Sequence, residues 1–217
     1  MAALLLPVTL MLTGCGGSDQ AGDGKKSDAA FPAGYAPLAG DVLFQSSPHT
    51  RLVDTIEGVS GSPLSHCGIV ARVDGGWVVY EASDTVKATP LKAFIERGRD
   101  QGFLVYRFKD EFTKDIPGIL DETRAFLDRP YDYRYRMDDE HIYCSELIFK
   151  AFENVPGQQL GELERLGDLN WEPFEENIKH FEDGPVPLDR EMITPQGLSE
   201  AEQLVRVLSH KIATDGD

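Results

Sequence analysis

A chain of 217 residues with 41% apolar and 27% charged side chains is ordinary globular material, enough for one domain with a single core. Its 37 acidic residues against 21 basic ones leave a net charge of −16, which argues against nucleic acid or an anionic lipid surface as the main partner. Acidity alone names no substrate; it predicts solubility and weak repulsion from polyanions.

The first fifteen residues carry no charge, and an apolar run ends in Leu12-Thr13-Gly14-Cys15. That is the layout of a secretory signal followed by a lipoprotein processing site. Residues 1–15 are therefore expected to be a signal peptide, with Cys15 as lipid attachment point and new amino terminus, on the periplasmic face of a bacterial cell envelope. The missing Lys or Arg ahead of the run departs from that layout and leaves a truncated or mis-assigned start open. About ten apolar residues cannot cross a hydrocarbon core of roughly 30 Å, and no other stretch is long or apolar enough to do so. Residues 16–30 hold almost no bulky apolar side chains and cannot offset the entropy of ordering. They read as a flexible tether extending to residue 35, with the folded domain at 36–217.

Within the domain, residues 40–45 predict a short strand and 52–57 a helical segment before the Ser60-Gly61-Ser62-Pro63 loop. Two β-rich runs, 66–73 and 77–82, flank Asp74-Gly75-Gly76, a composition that supplies positive φ and predicts a hairpin. A helix at 91–97, a strand at 102–108 and an amphipathic helix at 116–127 follow. The apolar spacing of Leu147, Ile148, Ala151 and Phe152 predicts a helix that starts at or beside Cys144. Beyond residue 154 the chain reads as loop until a final helix near 199–210, where Ser199 gives only a weak cap signal.

With Cys15 given to lipid, Cys67 and Cys144 remain of the three cysteines. An oxidising compartment invites a disulfide between them, yet both sit inside motifs that carry other chemistry, so they read as unbridged. A metal cage is also disfavoured: His141 and Cys144 have helical spacing, but His66 and Cys67 are neighbours on a strand and point to opposite faces. At a helix N-terminus, Cys144 would gain thiolate character from the helix dipole and free N–H groups, which could also hold a developing oxyanion. His66 on a facing strand would serve as base and acid, and Glu81 across the hairpin would orient it. Glu81 shares the face of His66 in the register that sets it opposite Gly68; a one-residue slip turns it away unless a bulge restores the geometry, and leaves Ser83 as a poorer orienter. A lone strand histidine is more often a satisfied core residue than a catalyst, and a buried cysteine is usually a small hydrophobe. Their order and context carry the functional reading.

That order runs Gly40-Asp41-Val42-Leu43-Phe44, then Ser65-His66-Cys67-Gly68-Ile69-Val70, Tyr80-Glu81-Ala82, and Pro130-Tyr131-Asp132-Tyr133 leading into Tyr143-Cys144-Ser145-Glu146-Leu147. Over residues 38–200 it resembles the YiiX/YebB-like cysteine hydrolases, a branch of the NlpC superfamily with a circularly permuted papain-like fold. The resemblance implies an α+β fold, an antiparallel sheet or small barrel packed against helices. It also implies Cys144 as nucleophile, His66 as general base and acid, and Glu81 as the third polar residue. Tyr131, Asp132 and Tyr133 fall where the family keeps pocket residues; Ser65 and Tyr143, flanking His66 and Cys144, complete the candidate substrate contacts. The expected activity is a cysteine hydrolase, amidase or peptidase-like, that cleaves an amide in a short peptide or cell-wall peptide through a thioester, without cofactor or metal. A lipid acyl esterase or acyltransferase, and a non-catalytic ligand-binding lipoprotein, are the alternatives.

Overall fold

The computed structural model describes residues 31–213. The elements in chain order are β1 (Val42–Gln45), α1 (Arg51–Ser60), β2 (His66–Val73), β3 (Gly76–Ala82), β4 (Val86–Pro90), α2 (Leu91–Arg97), β5 (Phe103–Phe108), α3 (Ile116–Ala125) and α4 (Cys144–Asn154). There follow β6 (Glu164–Arg165), α5 (Glu175–Glu182), β7 (Glu191–Met192), α6 (Pro195–Ser199) and β8 (Leu204–His210). Six strands form one antiparallel sheet in the order β4-β3-β2-β1-β5-β8, and β6 pairs with β7 apart from it. The α+β expectation holds, in its sheet rather than its barrel form.

The sheet is buried on both faces, which is why β2 reads as a continuous apolar run rather than an alternating one. On one face Val42, Phe44, Cys67, Ile69 and Tyr80 meet Leu147, Ile148 and Phe152 of α4. On the other, Leu43, Val70 and Val79 meet Leu91, Phe94 and Ile95 of α2. β2 and β3 close around Asp74-Gly75 with Val73 opposite Gly76, whose φ of 126° only glycine adopts freely. Helix α1 is capped at one end by Thr50 Oγ1, which accepts the Val53 N–H, and at the other by Gly61 in the left-handed region.

Several sequence expectations change. Residues 31–35, assigned to the tether, belong to the folded body: Tyr35 is buried, donates to Asp41 Oδ2 at 2.8 Å and lies 5.8 Å from the Phe103 ring. The expected helix at 199–210 is absent. Helix α6 ends at Ser199, and 204–210 is the strand β8, because pairing with the exposed edge of β5 satisfies a backbone whose Leu204, Val207 and Leu208 suit helical spacing equally well. The stretch after 154, read as loop, contains α5. The signal peptide, Cys15 and residues 16–30 lie outside the described residues.

Candidate active site

Three elements converge on one point. His66 is the first residue of β2, Cys144 the first of α4, and Glu81 the penultimate residue of β3. Ile69 faces Tyr80 across the hairpin, and that register carried one step on sets Gly68 opposite Glu81, so His66 and Glu81 share a face. Gly68 is required there, since a Cβ would fall 2.4 Å from Val79 Cγ1 and 2.9 Å from the Tyr80 carbonyl. The start of α4 is fixed by Tyr143, which is extended, and by Glu146 at the third helical position, whose carboxylate accepts the Tyr143 N–H at 3.1 Å. Cys144 is therefore held in the first turn of an eleven-residue helix, at its positive end.

His66 Nε2 lies 2.5 Å from Glu81 Oε2, and the ring is close enough to the Cys144 sulfur that each favours the charged form of the other. Cys67 and Cys144 are both free and both buried, as the unbridged reading expects. The neighbouring Cys67 thiol is the strongest influence on Cys144; with the His66 contact and the Cys67 backbone N–H it outweighs burial and holds the Cys144 thiol well below the usual range. Cys67 moves the other way, pushed up by burial and then by its neighbour. Burial works against charge on His66, but the bonds to Cys144 and Glu81 overcome it and lift the imidazole to about 9. Burial likewise opposes ionisation of Glu81, and the bonds from His66 and Arg97 overcome it, holding the carboxyl at about 2. The directions of these shifts all favour a thiolate beside an imidazolium, with an ionised carboxylate behind it.

Two polar partners of Glu81 have no signal in the motifs. Thr89 Oγ1 donates to Oε1 at 2.5 Å, and Arg97 donates to Oε1 at 3.0 Å and to Oε2 at 2.5 Å. Thr89 lies on β4, which sequence reading did not separate from its surroundings. Arg97 lies at the end of a helix sixteen residues away. Gln45, opposite His66 on β1, is fully buried with neither amide atom bonded among the described residues.

The five candidate substrate contacts are dispersed in what they do. Ser65 is buried, donating to Glu57 and accepting the Ser47 N–H. Both oxygens of Asp132 accept backbone N–H groups, of Arg134 and Arg136. The Tyr143 hydroxyl donates to Met137 Sδ and accepts the Ile193 N–H. Tyr131 is buried near Cys144, its hydroxyl 3.0 Å from that of Tyr135. Tyr133 is exposed, its ring edge-on to Tyr131 and stacked with Phe181. Tyr135 was not among the candidates, yet its phenol lies close enough to Cys144 to feel the thiolate, and it has a φ of 53° that marks a constrained loop.

Tyr133 and Tyr135 also line a small apolar cleft of about 70 Å³ whose other walls include Leu52, Ile56, Ile178 and Phe181. The Tyr135 ring, part of this cleft's lining, lies 4.4 Å from the ring of Tyr143, which precedes α4.

Residues 37–208 match the family described as "permuted papain-like amidase enzyme, YaeF/YiiX, C92 family". The uncharacterized protein YiiX of Escherichia coli K12 is 29% identical over 176 residues, covering 80% of this chain and 87% of that protein. The crystal structure of a protein titled "metalloprotein yiiX", from Escherichia coli O157:H7, superposes with a TM-score of 0.76 at 27% identity, over 81% of this chain and 99% of that one. Its title conflicts with the expectation that no metal is required. Among the described residues here, no group of three or more His, Cys, Asp or Glu side chains is arranged to hold an ion. The side chains nearest to such chemistry, His66, Cys144 and Glu81, are committed to one another, and Glu81 further to Arg97 and Thr89. The site as built does not fit a metal.

Proposed function

The chain belongs to the C92 family of permuted papain-like amidases, and from that premise we propose that it is a thiol hydrolase that cleaves an amide bond with Cys144, His66 and Glu81. The observation that carries the proposal is the convergence of Cys144 at the start of α4 with His66, itself hydrogen-bonded to Glu81, with thiol and imidazole both shifted toward the ion pair. In this reading the Cys144 thiolate attacks the carbonyl carbon, and N–H groups of the first turn of α4 hold the oxyanion. His66 gives its proton to the leaving amine as the C–N bond breaks, which leaves a thioester. It then takes a proton from water, whose oxygen displaces the sulfur and releases the acid. A short peptide or cell-wall-derived peptide is the substrate class that the family description and the envelope reading favour together.

A second reading keeps the same chemistry on a fatty acyl ester or amide. The apolar cleft beside Tyr135 favours it, because each methylene buried there adds about 0.8 kcal/mol, roughly fourfold in kcat/KM. A series of amides and esters of increasing acyl length separates the two. A steep rise with length supports the acyl reading; a flat response with preference for peptide amides supports the first.

The decisive experiment is turnover by the purified full chain on peptide amides. Cys144→Ala and His66→Ala are expected to lose at least on the order of 10³-fold, whereas Glu81→Gln keeps a measurable remnant. Full activity in Cys144→Ala overturns thiol catalysis, whereas no turnover by the wild type on any amide or ester brings forward a ligand-binding lipoprotein. Attachment to the envelope through lipid on Cys15 is part of the same proposal. Cys15→Ser should move the protein from the membrane fraction to the soluble one, and an unchanged distribution would refute it.

A further inference from the structure

Glu81 has more partners than an orienting carboxylate needs. It is completely buried, yet both of its oxygens receive the Arg97 guanidinium, at 3.0 and 2.5 Å, and Oε2 is shared between Arg97 and His66. Arg97 is itself held in place: its guanidinium carbon lies 5.3 Å from the centre of the Phe94 ring one turn earlier in α2, and that ring lies 5.6 Å from the imidazole of His66, tilted by 32°. One helix end thus supports the histidine with a ring and its carboxylate with a cation.

The charges explain why. A Cys144 thiolate, a His66 imidazolium and a Glu81 carboxylate together carry one net negative charge in a buried space, which is expensive. Arg97 brings the set to zero. Without it, the simplest relief is for the thiolate to take up a proton. We propose that Arg97 is a positioning residue for this site, a fourth member whose guanidinium orients Glu81 and balances its charge so that the thiolate and imidazolium coexist at neutral pH. The inference rests on the thiol-hydrolase reading above and deepens it.

Among the described residues, no other nearby group can take over this task. Lys87 faces Glu81 across β4, but its ammonium is bound to Asp84. Around Cys144, the hydroxyls of Tyr131, Tyr135 and Tyr143 and the thiol of Cys67 are kept neutral by burial. Glu146, on α4 itself, is paired with Lys150.

The test follows the rate of iodoacetamide alkylation at the peptide carrying Cys144, from pH 4 to 10, on the full chain. Arg97→Met should raise the midpoint of this titration by about one pH unit, a tenfold loss of thiolate on its acid side. Arg97→Lys, which keeps the charge but loses the bidentate geometry, should restore the midpoint while recovering turnover only in part. The double variant Arg97→Met with Glu81→Gln again leaves no net charge, so its midpoint should return toward that of the wild type, a non-additive result that loss of fold would not produce. Should Arg97→Met not fold, Arg97→Gln is read in the same way. An unmoved midpoint in the neutral variants, or additive effects in the double one, overturns the role of Arg97 while leaving the hydrolase reading intact. A wild-type Cys144 with no reactivity below its ordinary thiol range overturns both.

Discussion

Two thiols in contact, one held down and the other pushed up, make Cys67 a donor to the nucleophile rather than its rival. Limiting iodoacetamide at pH 7 should therefore modify Cys144 well before Cys67, as read by peptide mass mapping; dominant labelling of Cys67 would reverse the assignment. The sequence exposed His66, Glu81 and Cys144 because each sits in a short motif with recognisable neighbours. It concealed Arg97, since nothing local distinguishes an arginine at a helix end from a solvated one, and only the fold brings it to Glu81. Gln45 was equally silent. A buried amide without partners costs about 1–3 kcal/mol, so Gln45→Leu should raise Tm by roughly 2–4 °C for each kcal/mol recovered. A lower Tm would mean that the amide is satisfied by bound water.

At the scale of elements, the site depends on the register of β2 and β3, and that register was only half legible. The Asp74-Gly75-Gly76 turn announced a hairpin, but a single residue of turn length decides whether Glu81 faces His66. The deciding feature is Gly76 at φ 126°, which lets a two-residue turn close with Val73 opposite Gly76. Gly68 then holds the two strands close beside the histidine. Gly68→Ala should destabilise by about 1–3 kcal/mol through the clash with Val79 and the Tyr80 carbonyl. It should also cost activity in the remaining folded fraction, because the strand carrying Glu81 is displaced. Denaturant unfolding with unchanged stability would show that the register yields more easily than the contacts indicate. β8 was misread for the opposite reason. Its apolar residues fit two periodicities, and the choice belongs to β5, a partner almost a hundred residues earlier in the chain that no local pattern reveals.

Over the whole molecule, the pH dependence of stability gathers three buried charges of different sign. Glu81, held at about 2, contributes stability present above its ordinary 4.5 and lost as pH falls through 2. His66, held at about 9, contributes stability present below its ordinary 6.5 and lost as pH rises through 9. Glu146 works differently. Burial, only partly offset by Lys150 and the Tyr143 N–H, lifts its carboxyl from 4.5 to about 7, so between those values the folded chain holds a proton that the unfolded chain releases. Stability from this group therefore falls as pH rises from 4.5 to 7. Glu146 sits in the turn that presents Cys144, and Lys150 also donates to the carbonyls of Met137 and Asp138, so the helix start and the loop of Tyr135 share this one carboxyl. The surplus of acidic residues imposes its own pH trend, but a comparison of two variants with the same surface cancels it. The Tm of Glu146→Gln minus that of the wild type should therefore climb steadily from pH 4.5 to 7 and level off above it. A difference that stays constant across this range would mean that Glu146 is ionised throughout, and that Lys150, rather than burial, governs the turn that holds the thiol.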